Sequence, residues 1–286
     1  MAIFVSDWSI ASAPATTANL GPGFDTIALA LTPRCVVRAR VAESWSVRHV
    51  GKHRPDGGEQ DGVAAAARLV IGDRPLEMEV DNAIPLARGV GSSAAAYVAG
   101  AAAALRATGE EASPDRVFRV AADMEGHADQ AAAAVYGGLV LAPAEGMPLR
   151  LPFHPTLRPV VAVPETRLAT AEARAVLPAA YPRDVVIRSV ARSAALTAGL
   201  ITGNPELLAA AHGDEIHEAP RDAISPEVAK LIDVARRAGA LHAARSGSGP
   251  SVVAITTVDT ADRVAAAFRE WGVDVIEGPV ETQGLI

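Results

Sequence analysis

Several residue types are scarce in this 286-residue sequence, and each shortage excludes a class of structure or site. With one cysteine, Cys35, the chain cannot form an internal disulfide, which fits the reducing cytoplasm. Cys35 lies in the apolar run CVVRARV, which favours a buried strand residue over a reactive thiol. Lys52 and Lys230 are the only lysines, so the P-loop motif G-x-x-x-x-G-K-S/T is absent. Aromatic residues contribute 4%, so aliphatic side chains must build the core.

Excess positive charge and long apolar runs are also lacking. A net charge of −7 argues against general binding to nucleic acid or to an anionic membrane, so any phosphate site has to be local. The N-terminal stretch MAIFVSDWSIASA has no basic region and is interrupted by Asp7, so no signal peptide is expected. The longest uncharged apolar run, Ala94 to Leu105, is too short to span a bilayer. We therefore expect a cytoplasmic protein.

The overall composition is typical of a globular protein with a sizeable core. Hydrophobic residues make up 50% and charged residues 21% of a 29.4 kDa chain, enough for one large domain or two ordinary ones. The pattern mixes helices and strands and changes character near residue 157, which indicates an α+β protein with domains at 1–154 and 155–286. A functional site is expected in the cleft between them.

Periodicity and turn residues predict the elements of each half. In the first half we expect strands at 2–12, 35–48, 75–84 and 139–142, a loop at 15–25, an exposed connection at 51–62, and helices at 63–71 and 114–125. In the second half we expect strands at 158–164, 241–258 (broken by a glycine turn) and 273–276, and helices at 170–180, 183–200, 205–212, 226–238 and 260–271.

The central feature is a glycine loop that opens into a long alanine-rich helix, IPLARGVGSSAAAYVAGAAAALRATG. Unpaired N–H groups and the positive end of the dipole at a helix N-terminus favour an anion. Gly89 and Gly91 would let the backbone approach that anion, and Ser92 and Ser93 offer hydroxyls. The pattern therefore indicates a phosphate cradle, with an ordinary serine cap after a glycine turn as the alternative.

A dinucleotide-binding loop is the second alternative, because GVGSSA satisfies G-x-G-x-x-A. Pro85 and Arg88 interrupt the strand that should lead into such a loop, and Glu110 and Glu111 do not lie where a second strand would end. The dinucleotide interpretation is therefore less favoured.

The loop resembles the phosphate-binding motif of the GHMP kinases, the superfamily of galactokinase, homoserine kinase and mevalonate kinase. APATTANLGPGFD and SGSGPSVVA resemble two further motifs of the superfamily, in the same order. The resemblance implies a two-domain fold, with a ribosomal-protein-S5-like N-terminal domain and a ferredoxin-like α+β C-terminal domain. It also implies an ATP-binding loop made of Pro85, Leu86, Ala87, Arg88, Gly89, Val90, Gly91, Ser92 and Ser93.

Magnesium would accompany ATP, because phosphoryl transfer depends on positioning and charge neutralisation. Ser93 is the family's serine near the metal. Glu125 is a candidate ligand because a carboxylate is a hard oxygen donor, and a solvated glutamate at a helix end is the alternative.

EGHADQAAAAVYGG, TAEARAVLP and, more weakly, HEAPR resemble stretches of bacterial homoserine kinases. Those enzymes phosphorylate L-homoserine to O-phospho-L-homoserine with ATP, on the route to threonine. The resemblance implies that Asp25 binds the substrate amino group and that Arg174 and Arg221 bind its carboxylate. It further places Asn19 and His127 around the reacting hydroxyl. Gln130 is assigned to the catalytic set, and Asp129 receives no firm role.

The charges suit this assignment, since a zwitterionic amino acid requires one anionic partner and a guanidinium for its carboxylate. Three positions depart from the family pattern: Gln130 replaces an asparagine, Gly62 replaces an asparagine near the adenine, and Ala219-Pro220 replaces Pro-Tyr. Two other functions therefore stay open: a GHMP kinase for another small alcohol, and a catalytically silent ligand sensor. The expected partners are ATP and L-homoserine, without nucleic acid or membrane, and a homodimer is left open.

Overall fold

The fold is described from a computed structural model, for residues 8–55 and 61–286. The strands are β1 (Ser9–Asn19), β2 (Gly23–Val41), β3 (Ser46–His49), β4 (Leu76–Asn82), β5 (Leu139–Leu141), β6 (Leu149–Leu151), β7 (Leu157–Val163), β8 (His242–Arg245), β9 (Val252–Thr257) and β10 (Asp274–Glu277). The helices are α1 (Gly62–Ile71), α2 (Ser92–Ala107), α3 (Pro114–Glu125), α4 (Asp129–Tyr136), α5 (Thr170–Ala175), α6 (Arg183–Thr202), α7 (Pro205–Ala210), α8 (Glu218–Arg221), α9 (Glu227–Arg237) and α10 (Val258–Glu270).

Two sheets organise the described residues. The first has the order β3-β4-β2-β5-β6, with β1 paired to β2, and all its pairs are antiparallel except β3 with β4. The second is antiparallel, in the order β10-β7-β9-β8. Because β6 belongs to the first sheet and β7 to the second, we keep the division between residues 154 and 155 as a proposal.

The core of the first half surrounds α2. This helix is buried along most of its length, and its alanines allow close packing against α1, β1 and β2. Gly91 is its N-cap residue, with φ 69°, and no side chain caps the helix. The alternative of an ordinary serine cap is therefore wrong, because Ser92 and Ser93 lie inside the first turn.

The predicted loop at 15–25 is wrong for most of its length. β1 continues to Asn19 and β2 begins at Gly23, so only the three residues between them form the turn. Pairing of the two long strands outweighs the local preference of Asn, Gly and Pro for turns. Residues 2–7 of the first predicted strand and 56–60 of the predicted connection lie outside the described residues. The predicted strand at 35–48 is divided between β2 and β3.

Most of the other elements follow the sequence predictions closely, whereas β6 and α8 were not predicted. α1, α3, α6, α9, α10 and the strands of the second sheet lie where they were expected, within a few residues at their ends. α5 is shorter than predicted, ending at Ala175 rather than 180.

α6 is largely apolar but carries four charged residues, so it is not an uncharged apolar run. Among the described residues it is the one helix long and apolar enough to cross a membrane by length and composition, which is weak support for a membrane protein. Two of its arginines bind within the chain, since Arg188 and Arg192 both pair with Glu215, at 2.8 and 2.7 Å.

Candidate active site

The glycine loop lies where the two halves meet. Ala87, Gly89 and Gly91 all have positive φ, which bends the backbone into the N-terminus of α2. The Arg88 guanidinium donates to the carbonyl oxygens of Pro164 at 2.7 Å and Glu165 at 2.9 Å. Arg88 thus attaches the loop to the second half of the chain.

The loop glycines also have a role in packing that was not predicted. A Cβ added to Gly91 would lie 1.9 Å from Thr16 Oγ1, and one added to Gly89 would lie 2.2 Å from the carbonyl oxygen of Ser246. Both missing side chains would point at protein. The glycines are therefore required for the loop to pack against β1 and the 246–249 turn.

A cavity of about 350 Å³ adjoins the loop, which is within the range of small-molecule sites. At one end, Asp61 Oδ2 pairs with His49 Nε2 at 2.5 Å while Asp61 Oδ1 caps α1. Gly62 has no room for a side chain, because a Cβ there would lie 2.8 Å from the Tyr97 ring. The cavity is lined by all nine predicted loop residues except Pro85, together with Cys35, Gln130, Leu168, Thr170 and Ser248 among others.

Cys35 is buried in the cavity wall, and burial raises the pKa of its thiol to about 12. The predicted inert strand residue is confirmed.

Glu125 lies at the C-terminal end of α3, beside the loop. Burial raises the pKa of its carboxyl, while a hydrogen bond with Ser93 and the nearby His127 act in the opposite direction. Its Oε1 is buried and has no hydrogen-bond partner among the described residues. The alternative of a solvated glutamate is therefore wrong. A buried carboxylate oxygen without a partner, next to a serine hydroxyl, fits a cation.

No group of three or more His, Cys, Asp or Glu within 8–55 and 61–286 could hold a metal by itself. A site built on Glu125 and Ser93 suits Mg²⁺, which is commonly held by one or two protein oxygens together with phosphate and water.

His127 is placed between two carboxylates. Its Nδ1 lies 2.9 Å from Asp129 Oδ1, and its Nε2 lies 3.6 Å from Glu125 Oε2. Burial lowers the pKa of the imidazole, but the hydrogen bond to Asp129 and the two negative charges outweigh burial, so the pKa is raised. Asp129 Oδ1 also accepts from the backbone N–H of Gln130 at 2.8 Å.

A second, smaller cavity of about 20 Å³ brings together all six residues predicted for the substrate and the reacting hydroxyl. These are Asn19, Asp25, His127, Gln130, Arg174 and Arg221. Asp129, Thr170, Gly247 and Ser248 complete its lining. Gln130, Thr170 and Ser248 also line the larger cavity, so the two spaces adjoin. The sequence predictions did not include Thr170 and Ser248, although both lie within motifs that carry the family resemblance.

Asn19 fixes the turn between β1 and β2. It has φ 70°; its Oδ1 accepts from Asp25 N–H at 2.9 Å, and its Nδ2 donates to the Gly247 carbonyl at 2.9 Å. Both ends of its amide are thus occupied by backbone groups, one in each half of the chain.

Asp25 and Arg174 bind each other. Arg174 Nη1 and Nη2 donate to Asp25 Oδ2 and Oδ1 at 3.0 and 2.7 Å, a bidentate pair. The sequence analysis predicted that Asp25 binds the amino group of the substrate and that Arg174 binds its carboxylate. In the structure the two side chains contact each other directly.

Arg221 is fully buried, with its Nε donating to the Ala173 carbonyl at 2.9 Å and its Nη1 to His217 Nδ1 at 2.8 Å. Burial, reinforced by the charges of Arg245 and Arg174, lowers the pKa of its guanidinium to about 10. Arg221 keeps its positive charge at neutral pH, and no carboxylate lies within ion-pair distance of it among the described residues.

The fold and this site together define a phosphotransferase of the GHMP class. Residues 61–138 match the family model "GHMP kinases N terminal domain", and residues 172–274 match "GHMP kinases C terminal". The chain therefore belongs to the GHMP kinases, and the predicted two-domain fold is confirmed.

Relatives narrow the assignment within that family. Homoserine kinase of Moorella thermoacetica is 36% identical over 275 residues, covering 91% of this chain and 92% of its own. Homoserine kinase of Thermus thermophilus is 40% identical over 247 residues, covering 85% of each chain. The crystal structure of homoserine kinase from Cytophaga hutchinsonii matches with a TM-score of 0.86 and 27% identity, covering 100% of this chain and 99% of that one. Among the GHMP kinases, the chain belongs with the homoserine kinases.

Proposed function

We propose that this protein transfers the γ-phosphoryl group of ATP to the hydroxyl of L-homoserine, giving O-phospho-L-homoserine and ADP, on the route to threonine. The observation that supports this most strongly is the small cavity, where the Asp25 carboxylate and the guanidiniums of Arg174 and Arg221 lie beside the glycine loop. A zwitterionic amino acid requires that set of charges, whereas a neutral alcohol such as a sugar does not.

Binding exchanges one set of ion pairs for another. The substrate ammonium pairs with Asp25, and the substrate carboxylate pairs with Arg174 and Arg221. Asp25 and Arg174 must separate, since their bidentate contact leaves a cavity of only about 20 Å³. Asp25 exchanges a guanidinium for the substrate ammonium, and Arg174 exchanges one carboxylate for another. The exchange therefore leaves neither side chain without an oppositely charged partner.

In the reaction, the hydroxyl oxygen forms a bond to the γ-phosphorus as the bond from phosphorus to the β–γ bridging oxygen breaks, and the hydroxyl proton is released. Asn19 and His127 surround the hydroxyl, each fixed by the hydrogen bonds described above. Backbone N–H groups at the start of α2 face the developing phosphate charge. Glu125 and Ser93 would hold Mg²⁺, which when bound offsets negative charge on the phosphates.

A cytoplasmic location remains part of the proposal, supported by the single buried cysteine. A homodimer stays a prediction.

The test is an ADP-release assay with L-homoserine, mevalonate and a sugar as separate acceptors, with product identification by phosphorus NMR. We expect ADP and O-phospho-L-homoserine from homoserine, and only background release from the other two. Turnover of mevalonate or the sugar in preference to homoserine would replace the proposed substrate. Binding of ATP and homoserine without ADP release would instead favour the ligand sensor.

A further inference from the structure

Phe24 is apolar and lies beside the two arginines that line the small cavity. Its ring stacks on the imidazole of His217, with centroids 4.9 Å apart and an interplanar angle of 17°. The guanidinium of Arg174 lies 5.7 Å from the same ring centroid, and that of Arg221 lies 5.6 Å from it. One aromatic ring therefore contacts both arginines assigned to the substrate carboxylate.

His217 connects the same groups through hydrogen bonds. It is fully buried, and its Nδ1 accepts from Arg221 Nη1 at 2.8 Å. A guanidinium can only donate, so Nδ1 carries no proton and Nε2 carries it. Nε2–H donates to the carbonyl oxygen of Gly21 at 2.8 Å. The imidazole thus joins Arg221 to the turn that carries Phe24 and Asp25.

Two guanidiniums that converge on one carboxylate repel each other before the carboxylate arrives. Arg174 is balanced by Asp25 in the structure, whereas Arg221 is held by neutral acceptors, Ala173 and His217. The negative face of an aromatic ring attracts cations, and desolvation strengthens the attraction. A ring that contacts both arginines therefore offsets part of their repulsion and limits their positions.

We propose that Phe24 and His217 are positioning residues, which hold Arg174 and Arg221 at the spacing a substrate carboxylate requires and so select amino-acid alcohols over alcohols without a carboxylate. This inference rests on the proposed function of the cavity. It adds two residues that neither contact the phosphate loop nor were assigned a role from the sequence.

The first test compares Phe24→Leu, which keeps apolar bulk without the aromatic face, with Phe24→Tyr, which keeps the face. The assay measures ADP release with L-homoserine and with 3-amino-1-propanol, the analogue that lacks the carboxylate. We expect Phe24→Leu to raise the KM for homoserine about tenfold, the size of two lost cation–π contacts. The KM for ATP and the turnover of 3-amino-1-propanol should change less than about twofold, because neither compound presents a carboxylate to the two arginines. Phe24→Tyr should recover most of the loss.

The second test separates the two hydrogen bonds of His217. His217→Leu removes both, and His217→Asn restores an acceptor near the position of Nδ1, where Arg221 donates. We expect His217→Leu to raise the KM for homoserine and His217→Asn to recover part of it, with both proteins checked for cooperative thermal unfolding. If either fails to fold, the Phe24 pair decides the question.

An unchanged KM for homoserine in Phe24→Leu would overturn the proposal, as would an equal loss with 3-amino-1-propanol or an equal defect in Phe24→Tyr. Failure of the proposed function has a different outcome, namely no homoserine turnover by the wild-type protein. In that case homoserine binding to the wild type and Phe24→Leu is measured by calorimetry, and equal affinities would overturn the positioning role.

Discussion

Arg174 shows how much of the substrate assignment depends on a single side chain. If its fork binds the substrate carboxylate, Arg174→Ala should raise the KM for homoserine by roughly one to two orders of magnitude, from the loss of about 1.5–3 kcal/mol in a charged hydrogen bond. The variant also leaves Asp25 without its present partner. Arg174→Lys should recover only part of the loss, because an ammonium cannot reproduce the planar fork. Steady-state kinetics with both substrates measures the effect.

The control for Arg174 is again 3-amino-1-propanol, which should be a poor substrate for the wild type and no worse for the variant. The KM for ATP should change little. Equal impairment with this analogue would show that Arg174 does not bind the carboxylate, and another GHMP substrate would then be favoured.

Gly91 has a role in packing that the sequence motif alone does not reveal. Because an added Cβ would collide with Thr16 rather than face the cavity, Gly91→Ala should destabilise the fold before it affects nucleotide binding. We expect the free energy of unfolding in urea, without nucleotide, to fall by about 2–4 kcal/mol. Gly126→Ala is the matched control, since Gly126 has φ 76° and nothing within 4 Å of the added Cβ. Equal losses of unfolding free energy in both variants would mean that the cost at Gly91 comes from backbone strain at positive φ and not from the collision with Thr16.

Glu125 is the residue on which the metal assignment depends. Glu125→Gln keeps the size of the side chain and removes the charge that would hold Mg²⁺, so activity should fall and half-saturation should need roughly tenfold more magnesium. Asp123→Asn, on an exposed position of the same helix, is the control. A magnesium titration of the kinase activity that is the same for Glu125→Gln and wild type would remove Glu125 from the metal site.

At the scale of elements, local sequence signals predict helices well where a residue such as proline marks the first turn or where a run of helix-forming residues is uninterrupted. Pro114 stands in the first turn of α3, which ends at Glu125 as predicted, and α2 follows from an alanine-rich run without proline. These elements obey preferences that operate within a few residues, so one sequence is sufficient to find them.

Elements formed by distant pairing escape such prediction. β1 contains ATTAN and still pairs with β2 up to Asn19, because β2 is long enough to serve as its template. The C-terminal segment returns to the first half, where Ser12 and Ile286 exchange backbone hydrogen bonds at 2.9 and 3.0 Å and Leu285 N–H donates to Val135. No periodic pattern near residue 286 indicates that contact.

Most residues of the candidate site could be predicted from the sequence, whereas its geometry could not. Motif resemblance placed Asn19, Asp25, Arg174 and Arg221 in one site, and the structure brings them to one cavity. The direct Asp25–Arg174 pair and the contacts of Phe24 depend on how the two sheets meet, and that arrangement is a property of the tertiary structure.

At the scale of the molecule, the tip of the β1–β2 hairpin is the joint between the halves. His242 Nε2 lies 2.9 Å from the Leu20 carbonyl oxygen, and His217 Nε2 lies 2.8 Å from that of Gly21. Gly247 N–H donates to Ala18 on the same hairpin at 2.9 Å. Gly247, which lines the small cavity, therefore also helps to hold the two halves together.

Because both histidines are buried and neutral, this joint should weaken in acid. Burial, together with the neighbouring His212, lowers the pKa of His242 from its ordinary 6.5 to about 4. Between those values the unfolded chain takes up a proton that the folded chain excludes, so the free energy of unfolding must decrease as pH falls from about 6.5 towards 4. For this one residue the full loss is on the order of 3 kcal/mol, at 1.36 kcal/mol per pKa unit.

His242→Gln isolates this contribution, because a glutamine amide can still donate to Leu20 but does not titrate. Urea unfolding at pH 5 and pH 7 should show a smaller pH-dependent loss for His242→Gln than for wild type, with the difference approaching 2 kcal/mol at pH 5. Carboxylates elsewhere titrate equally in both proteins and cancel in the comparison. If His242→Gln lost as much stability as wild type between pH 7 and 5, the neutral buried histidine would not be what makes the joint sensitive to acid.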